Sequence, residues 1–147
     1  MISKSLIGVR KHVWSMDSAL DKSDPDQFAA AWTAFLEGGE MAVLPLVEGC
    51  KPAEFDIAGL TRRQFLHVYN GSGGALENMA EAVAYGVRGV RGFQIDGKPI
   101  DFERVKSDSG QRLSVATLDA LFDPLLFAEL GSRILEISRI DPTRGQG

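Results

Sequence analysis

Apolar residues recur at spacings of three and four in the middle of the chain. Leu76, Met79, Ala80, Val83, Val87 and Val90 fall on one stripe, with Glu77, Glu81 and Arg88 off it. The spacing predicts an amphipathic helix over about Ala75–Val90, the longest in the chain. A second stripe of the same kind holds Phe28, Ala31, Trp32, Phe35 and Leu36. Asp24-Pro25-Asp26-Gln27 precedes it, with a capping carboxylate, a proline suited to the first helical position and a glutamine where a capping box needs one. Gly38-Gly39 ends it. Thr61 and Gln64 make another capping box, for a helix through about Tyr69, and Asn70–Gly74 breaks that helix from the next. Ser114 caps a short helix carrying Leu118, Leu121 and Phe122. Asp123-Pro124 then opens a terminal helix, Leu125–Ile140, with an expected Glu129–Arg133 ion pair on its outer face.

Period-two patterns are fewer. In Ala53–Leu60, Phe55 and Ile57 alternate with Glu54 and Asp56, which predicts a half-buried strand. Met41–Val47 is extended and apolar, but Pro45 restricts it to an edge strand or an irregular segment. These two segments are expected to form a hairpin. Asp96-Gly97 is a hairpin turn signal between Phe93/Ile95 and Ile100/Phe102. Ile2–Trp14 reads as a strand or a docked arm, Ser107–Arg112 as a polar loop, and residues 141–147 as a flexible tail. No repeat or long linker divides the chain. The sequence therefore predicts a single α+β domain over residues 1–147, mostly helical, with about five helices and one or two small antiparallel β ribbons. Its expected core is Phe28, Trp32, Phe35, Phe55, Ile57, Leu76, Val83, Val87, Leu130 and Ile134.

Composition adds little to this fold but narrows the partners. Of 147 residues, 44% are apolar and 24% charged, ordinary for a globular domain. The net charge of −4 disfavours nucleic acid. Ser15–Ala58 carries nine acids against two lysines, whereas Met1–Trp14 has Lys4, Arg10 and Lys11 and no acid. That asymmetry suits a protein partner more than a polyanion. Arg62, Arg63, Arg88 and Arg91 make the centre locally basic, and ion pairing with the acidic segment is the simpler use for them. The single cysteine, Cys50, excludes an internal disulfide and suits a reducing compartment. No run is apolar enough to predict a membrane span or a signal peptide.

Chemistry-bearing residues are sparse. His12, His67 and Cys50 lie too far apart in sequence for zinc-site spacing. Asp21–Asp26 lacks the central glycine of a calcium loop. Gly71-Ser72-Gly73-Gly74 lacks the lysine and hydroxyl of a phosphate loop and is not the G-x-S-x-G of a nucleophile elbow. The expectation is no catalytic residue, no metal and no cofactor. The terminal helix has apolar residues around about half its circumference, whereas packing on one domain needs a face of roughly 100°. The surplus implies either a second contact, with another copy or a partner, or a helix sandwiched inside the fold. Leu125, Leu135 and Arg139 are the candidates for an outward, partner-binding contact.

Gly49–Gln64, Tyr85–Phe93, Asp96–Ile100 and Leu118–Ile140 occur in an order that resembles small proteins of tailed-bacteriophage structural modules, tail assembly chaperones above all. The closing pattern Glu-Leu-x-x-x-Ile-x-x-x-Ser is carried here by Glu129, Leu130, Ile134 and Ser138. Cys50 and the GSGG break have no place in that pattern. The resemblance implies a non-enzymatic protein of the infected bacterium's cytoplasm that binds other phage proteins, such as a tape-measure or tail-tube subunit, during tail assembly. A tail-completion or connector subunit of the virion, and an inhibitor of a host defence complex, are the alternatives.

Overall fold

The computed structural model describes residues 8–70 and 73–140. They form five α-helices and three small antiparallel sheets, an α+β arrangement. In chain order the elements are β1 (Arg10–His12), α1 (Pro25–Gly38), a 3-10 turn (Met41–Val43), β2 (Glu54–Ile57), α2 (Arg62–Tyr69) and α3 (Ala75–Gly86). Then follow β3 (Val87–Arg91), β4 (Gln94–Ile95), β5 (Lys98–Pro99), β6 (Arg104–Ser107), β7 (Gly110–Leu113), α4 (Val115–Leu121) and α5 (Pro124–Ile140).

The helix starts follow from their caps. Asp24 accepts the Gln27 amide at 3.1 Å, and Ser114 accepts the Thr117 amide at 3.1 Å. Thr61 and Gln64 exchange both bonds of a capping box. Asp123 accepts the amides of Leu125 and Leu126 at the start of α5. At Asp96-Gly97 both residues have positive φ, 51° and 78°, and the β4–β5 hairpin turns there.

The main sheet has order β1-β2-β3, so β2 is central and pairs antiparallel on both sides. Its inner face carries Phe55 and Ile57. Its outer face is charged: Asp56 takes two bonds from Arg91, at 2.6 and 2.8 Å, Glu54 accepts a third at 3.2 Å, and Lys11 lies within 3.7 Å of both acids. The acidic segment thus neutralises part of both the N-terminal arm and the basic centre. The bonds from Arg91 hold the Asp56 carboxyl below its ordinary range, against a smaller opposing push from burial.

The expected helix over Ala75–Val90 ends at Gly86. Val87–Arg91 is β3 instead, with Val87 opposite Ile57 and Val90 opposite Phe55. Arg88 is the extra residue of a bulge, because Asp56 pairs with Gly89 and Ile57 with Val87. A bulge lets residues three apart meet the same face of a sheet, so the i, i+3 spacing of Val87 and Val90 mimics a helix. The hairpin expected between Met41–Val47 and Ala53–Leu60 does not form. Both edges of β2 are taken, and the earlier segment makes a 3-10 turn and pairs with the loop before α1: Leu46 bridges Leu20, and Pro45 accepts the Asp21 amide at 2.8 Å. Ser107–Arg112, expected as a loop, is most of the β6–β7 hairpin.

Two apolar clusters result. The larger joins Phe55, Ile57, Val83, Val87, Leu113, Leu130, Ile134 and Ile137 between the sheet, α3 and α5. The α3–α5 contact is close because it is lined by glycines: a Cβ on Gly131 would lie 3.0 Å from the Met79 Cα, and one on Gly86 would overlap Ile134. The smaller cluster joins Val13, Leu20, Phe35 and Leu44, with Phe28, Trp32, Leu36 and Met41 half-buried around it. Of the expected core, Leu76 is exposed, and Phe28 and Trp32 are only half covered. No helix among the described residues is long and apolar enough to cross a membrane.

Candidate functional site

The two clusters meet at a cleft of about 480 Å³ whose walls come from β1, α1, α2, α3 and α5. Three polar arrangements shape it. The first is a buried knot. His12 is 1% exposed and places Nε2 2.7 Å from Glu129 Oε2; because a carboxylate only accepts, that nitrogen carries the proton. Ser15 donates to the same carboxylate through its amide, at 2.9 Å, and through its hydroxyl. The His12 ring stands edge-on to Trp32, 5.8 Å between centroids, and against Phe35. Burial pushes the Glu129 carboxyl up, and the bonds from His12 and Ser15 together outweigh it, so the group sits below the ordinary carboxylate range.

The second arrangement is Arg133, which bonds Glu136 on its own helix and the Leu36 carbonyl of α1. The last turn of α1 has no basic residue of its own. A guanidinium from α5 therefore serves its unsatisfied carbonyls and its negative helix end. In the third, Arg139 donates to the Tyr69 hydroxyl of α2 at 3.0 Å. Leu36, Met79 and Leu135 supply apolar lining between these groups.

The sequence placed Glu129 and Arg133 together as an outward ion pair. The structure separates them, Glu129 turning to β1 and Arg133 to α1. Neither role was readable, because each partner is about a hundred residues away, 117 for His12 and 97 for Leu36. Ser138 was legible only as part of a pattern. It is buried, donates to the Ile134 carbonyl at 2.7 Å and accepts the Leu60 amide at 2.7 Å, so it ties the segment between β2 and α2 to α5. Glu129, Leu130, Ile134 and Ser138 thus all make inward, structural contacts.

The three residues expected to form one outward contact do not share a surface. Leu125 is 58% exposed at the start of α5, whereas Leu135 is 4% exposed and belongs to the core. Leu135 is therefore corrected from an outward to an inward position: it is buried in the larger cluster with Leu126, Phe127, Leu130, Ile134 and Ile137, which takes up most of the apolar surplus. Arg139 is exposed but lies at the cleft, away from Leu125. Two further exposed apolar residues precede Leu125 in the chain, Val115 at 72% and Phe122 at 51%, and no local signal marks them as outward.

Among the described residues no three His, Cys, Asp or Glu side chains converge as a metal site would need. Cys50 is exposed, and His67 sits 3.1 Å from Glu81 and edge-on to Tyr85. The knot holds a serine, a glutamate and a histidine, but the carboxylate stands between the other two. A nucleophile relay needs the hydroxyl on the imidazole. Comparison with family models, curated proteins and solved structures finds no match to the chain.

Proposed function

We propose that this chain is a non-enzymatic protein-binding domain that acts during phage tail assembly, in the manner of a tail assembly chaperone. The observation that carries the binding role is that α4, the residue after it and the first turn of α5 leave three large apolar side chains exposed within eleven residues, Val115, Phe122 and Leu125. Val115 opens α4, Phe122 is the extended residue that ends it, and Leu125 follows three residues later in the first turn of α5. Apolar surface gathered in one stretch, rather than scattered singly, is the mark of a contact site. The partner and setting rest on the resemblance of the Gly49–Ile140 motifs. They are a tape-measure or tail-tube subunit, in the cytoplasm of the infected bacterium.

Val115 and Leu125 lie in the first turns of their helices, where an acid is favoured by the helix dipole. The double change Val115→Asp, Leu125→Asp is therefore expected to leave the unfolding free energy within about 0.5 kcal/mol of the parent. Co-expression with the tape-measure or tail-tube subunit of the same phage is expected to raise that subunit's soluble yield, and the double variant to lose the effect. Unchanged rescue by a folded double variant removes this surface as the contact. Abundant chain in purified virions favours the tail-completion alternative instead.

A further inference from the structure

One charged side chain of the cleft has a partner unlike the others, and the protein-binding role does not use it. Four charged side chains line it: Glu129, Arg133, Glu136 and Arg139. Both acids are engaged, Glu129 by His12 and Ser15, Glu136 by Arg133. Arg133 is also engaged, by Glu136 and the Leu36 carbonyl. Arg139 is different. Among the described residues its hydrogen-bond partner is the neutral Tyr69 hydroxyl, and no carboxylate lies within ion-pairing distance. Tyr69 accepts that bond, which leaves its own O–H proton as a donor beside the guanidinium. A guanidinium and a phenol proton side by side are the donors that a carboxylate takes in charge-assisted bonds.

Next to this pair the lining is apolar, from Leu36, Met79 and Leu135. The volume of about 480 Å³ lies within the range of small-molecule sites, roughly 300–1,000 Å³. A cation would meet the Arg139 guanidinium with both carboxylates of the cleft already engaged, by His12 and Ser15 and by Arg133, and a purely apolar molecule would cover Arg139 without satisfying it. We infer that the cleft takes a small organic acid with an apolar body, its carboxylate on Arg139 and Tyr69 and its body over Leu36, Met79 and Leu135. The inference stands independently of the α4–α5 surface, which is built from other residues.

The test uses the full chain with its methionine methyl groups labelled, followed by NMR, the Met79 signal being assigned with Met79→Leu. The probes are 4-phenylbutyrate, the neutral 4-phenylbutanol and the cationic 4-phenylbutylamine. A saturable shift of the Met79 methyl with 4-phenylbutyrate is expected, and binding of the alcohol roughly tenfold weaker, the size of a charge-assisted bond. The amine is expected to be weaker still. Arg139 and Tyr69 are both exposed, so Arg139→Gln and Tyr69→Phe are expected to fold as the parent does. Arg139→Gln should bring the acid down to the alcohol's affinity, and Tyr69→Phe should weaken the acid while leaving the alcohol unchanged. No Met79 shift by about 10 mM probe, equal binding of acid and alcohol, or undiminished acid binding in Arg139→Gln would each overturn the assignment.

Discussion

Helix α5 is held on two of its sides by different means. Toward α3 it is joined by shape: Gly131 and Gly86 let the partner backbone and side chains approach, and Leu130 and Ile134 are fully buried. Toward β1 and α1 it is joined by a few long-range polar bonds, Glu129 to His12 and Ser15 and Arg133 to Leu36, beside a cluster in which Phe35 is buried but Phe28 and Trp32 remain half exposed. The first seam is dense. The second leaves room for the cleft. One helix can thus anchor the main core and still leave an open seam along its other side, because bonds span a gap that close packing would have filled.

This contrast orders the effects of mutation. Ile134→Ala, on the close-packed side, is expected to cost about 2–5 kcal/mol in a denaturant titration, as a buried isoleucine that leaves a cavity. Trp32→Ala, on the open side, removes a ring stacked on Phe28 at 5.8 Å and touching His12, but one only half buried, and is expected to cost about 1–3 kcal/mol. Equal losses at the two positions would erase the distinction between the seams.

Glu129→Gln sharpens it through pH. The folded Glu129 carboxyl lies below its unfolded value, so its contribution is fully present above about pH 4.3 and is lost as pH falls through the lower folded value. The glutamine variant is expected to lose on the order of 1–2 kcal/mol near neutrality and to show a shallower fall of stability on acidification. Asp56, lowered in the same way, keeps part of that fall in the variant. An unchanged acid slope would place the pH dependence elsewhere. Gly131→Ala has the smallest expected effect. The gain in helix propensity is about 1 kcal/mol and the overpacking against Met79 costs about 1–3, for a net loss on the order of 1 kcal/mol by thermal unfolding.

What could be read from the sequence follows the same division. Caps and turns announce themselves locally, and Asp24, Thr61, Ser114, Asp123 and Asp96-Gly97 act as expected. The α3–α5 core positions Val83, Leu130 and Ile134 were legible because both helices keep a regular period up to their contact. Periodicity misled at Val87 and Val90, where the bulge at Arg88 turned a strand into a three-residue spacing. Glu129 misled because a nearby arginine offered a local partner, while the true partners were set by tertiary folding. The surplus of apolar residues on α5 was read correctly as needing explanation. The fold supplies it for Leu135 and Ile137, both buried, and leaves Leu125 outward. Residues 1–7 of the expected arm, part of the GSGG break, and the expected tail over 141–147 lie outside the described residues.

The central claim is that α1 and its aromatic cluster are held to α5 by separable polar ties, whereas α3 and α5 open only together. Native-state hydrogen exchange measures this directly, amide by amide, in the parent and in Glu129→Gln. The account predicts that the amides of α1 exchange through an opening of lower free energy than those of α3 and α5. It also predicts that Glu129→Gln lowers the α1 opening further, by about 1–2 kcal/mol relative to the other two helices. A single common opening free energy for all three helices, shifted equally by the substitution, would contradict it.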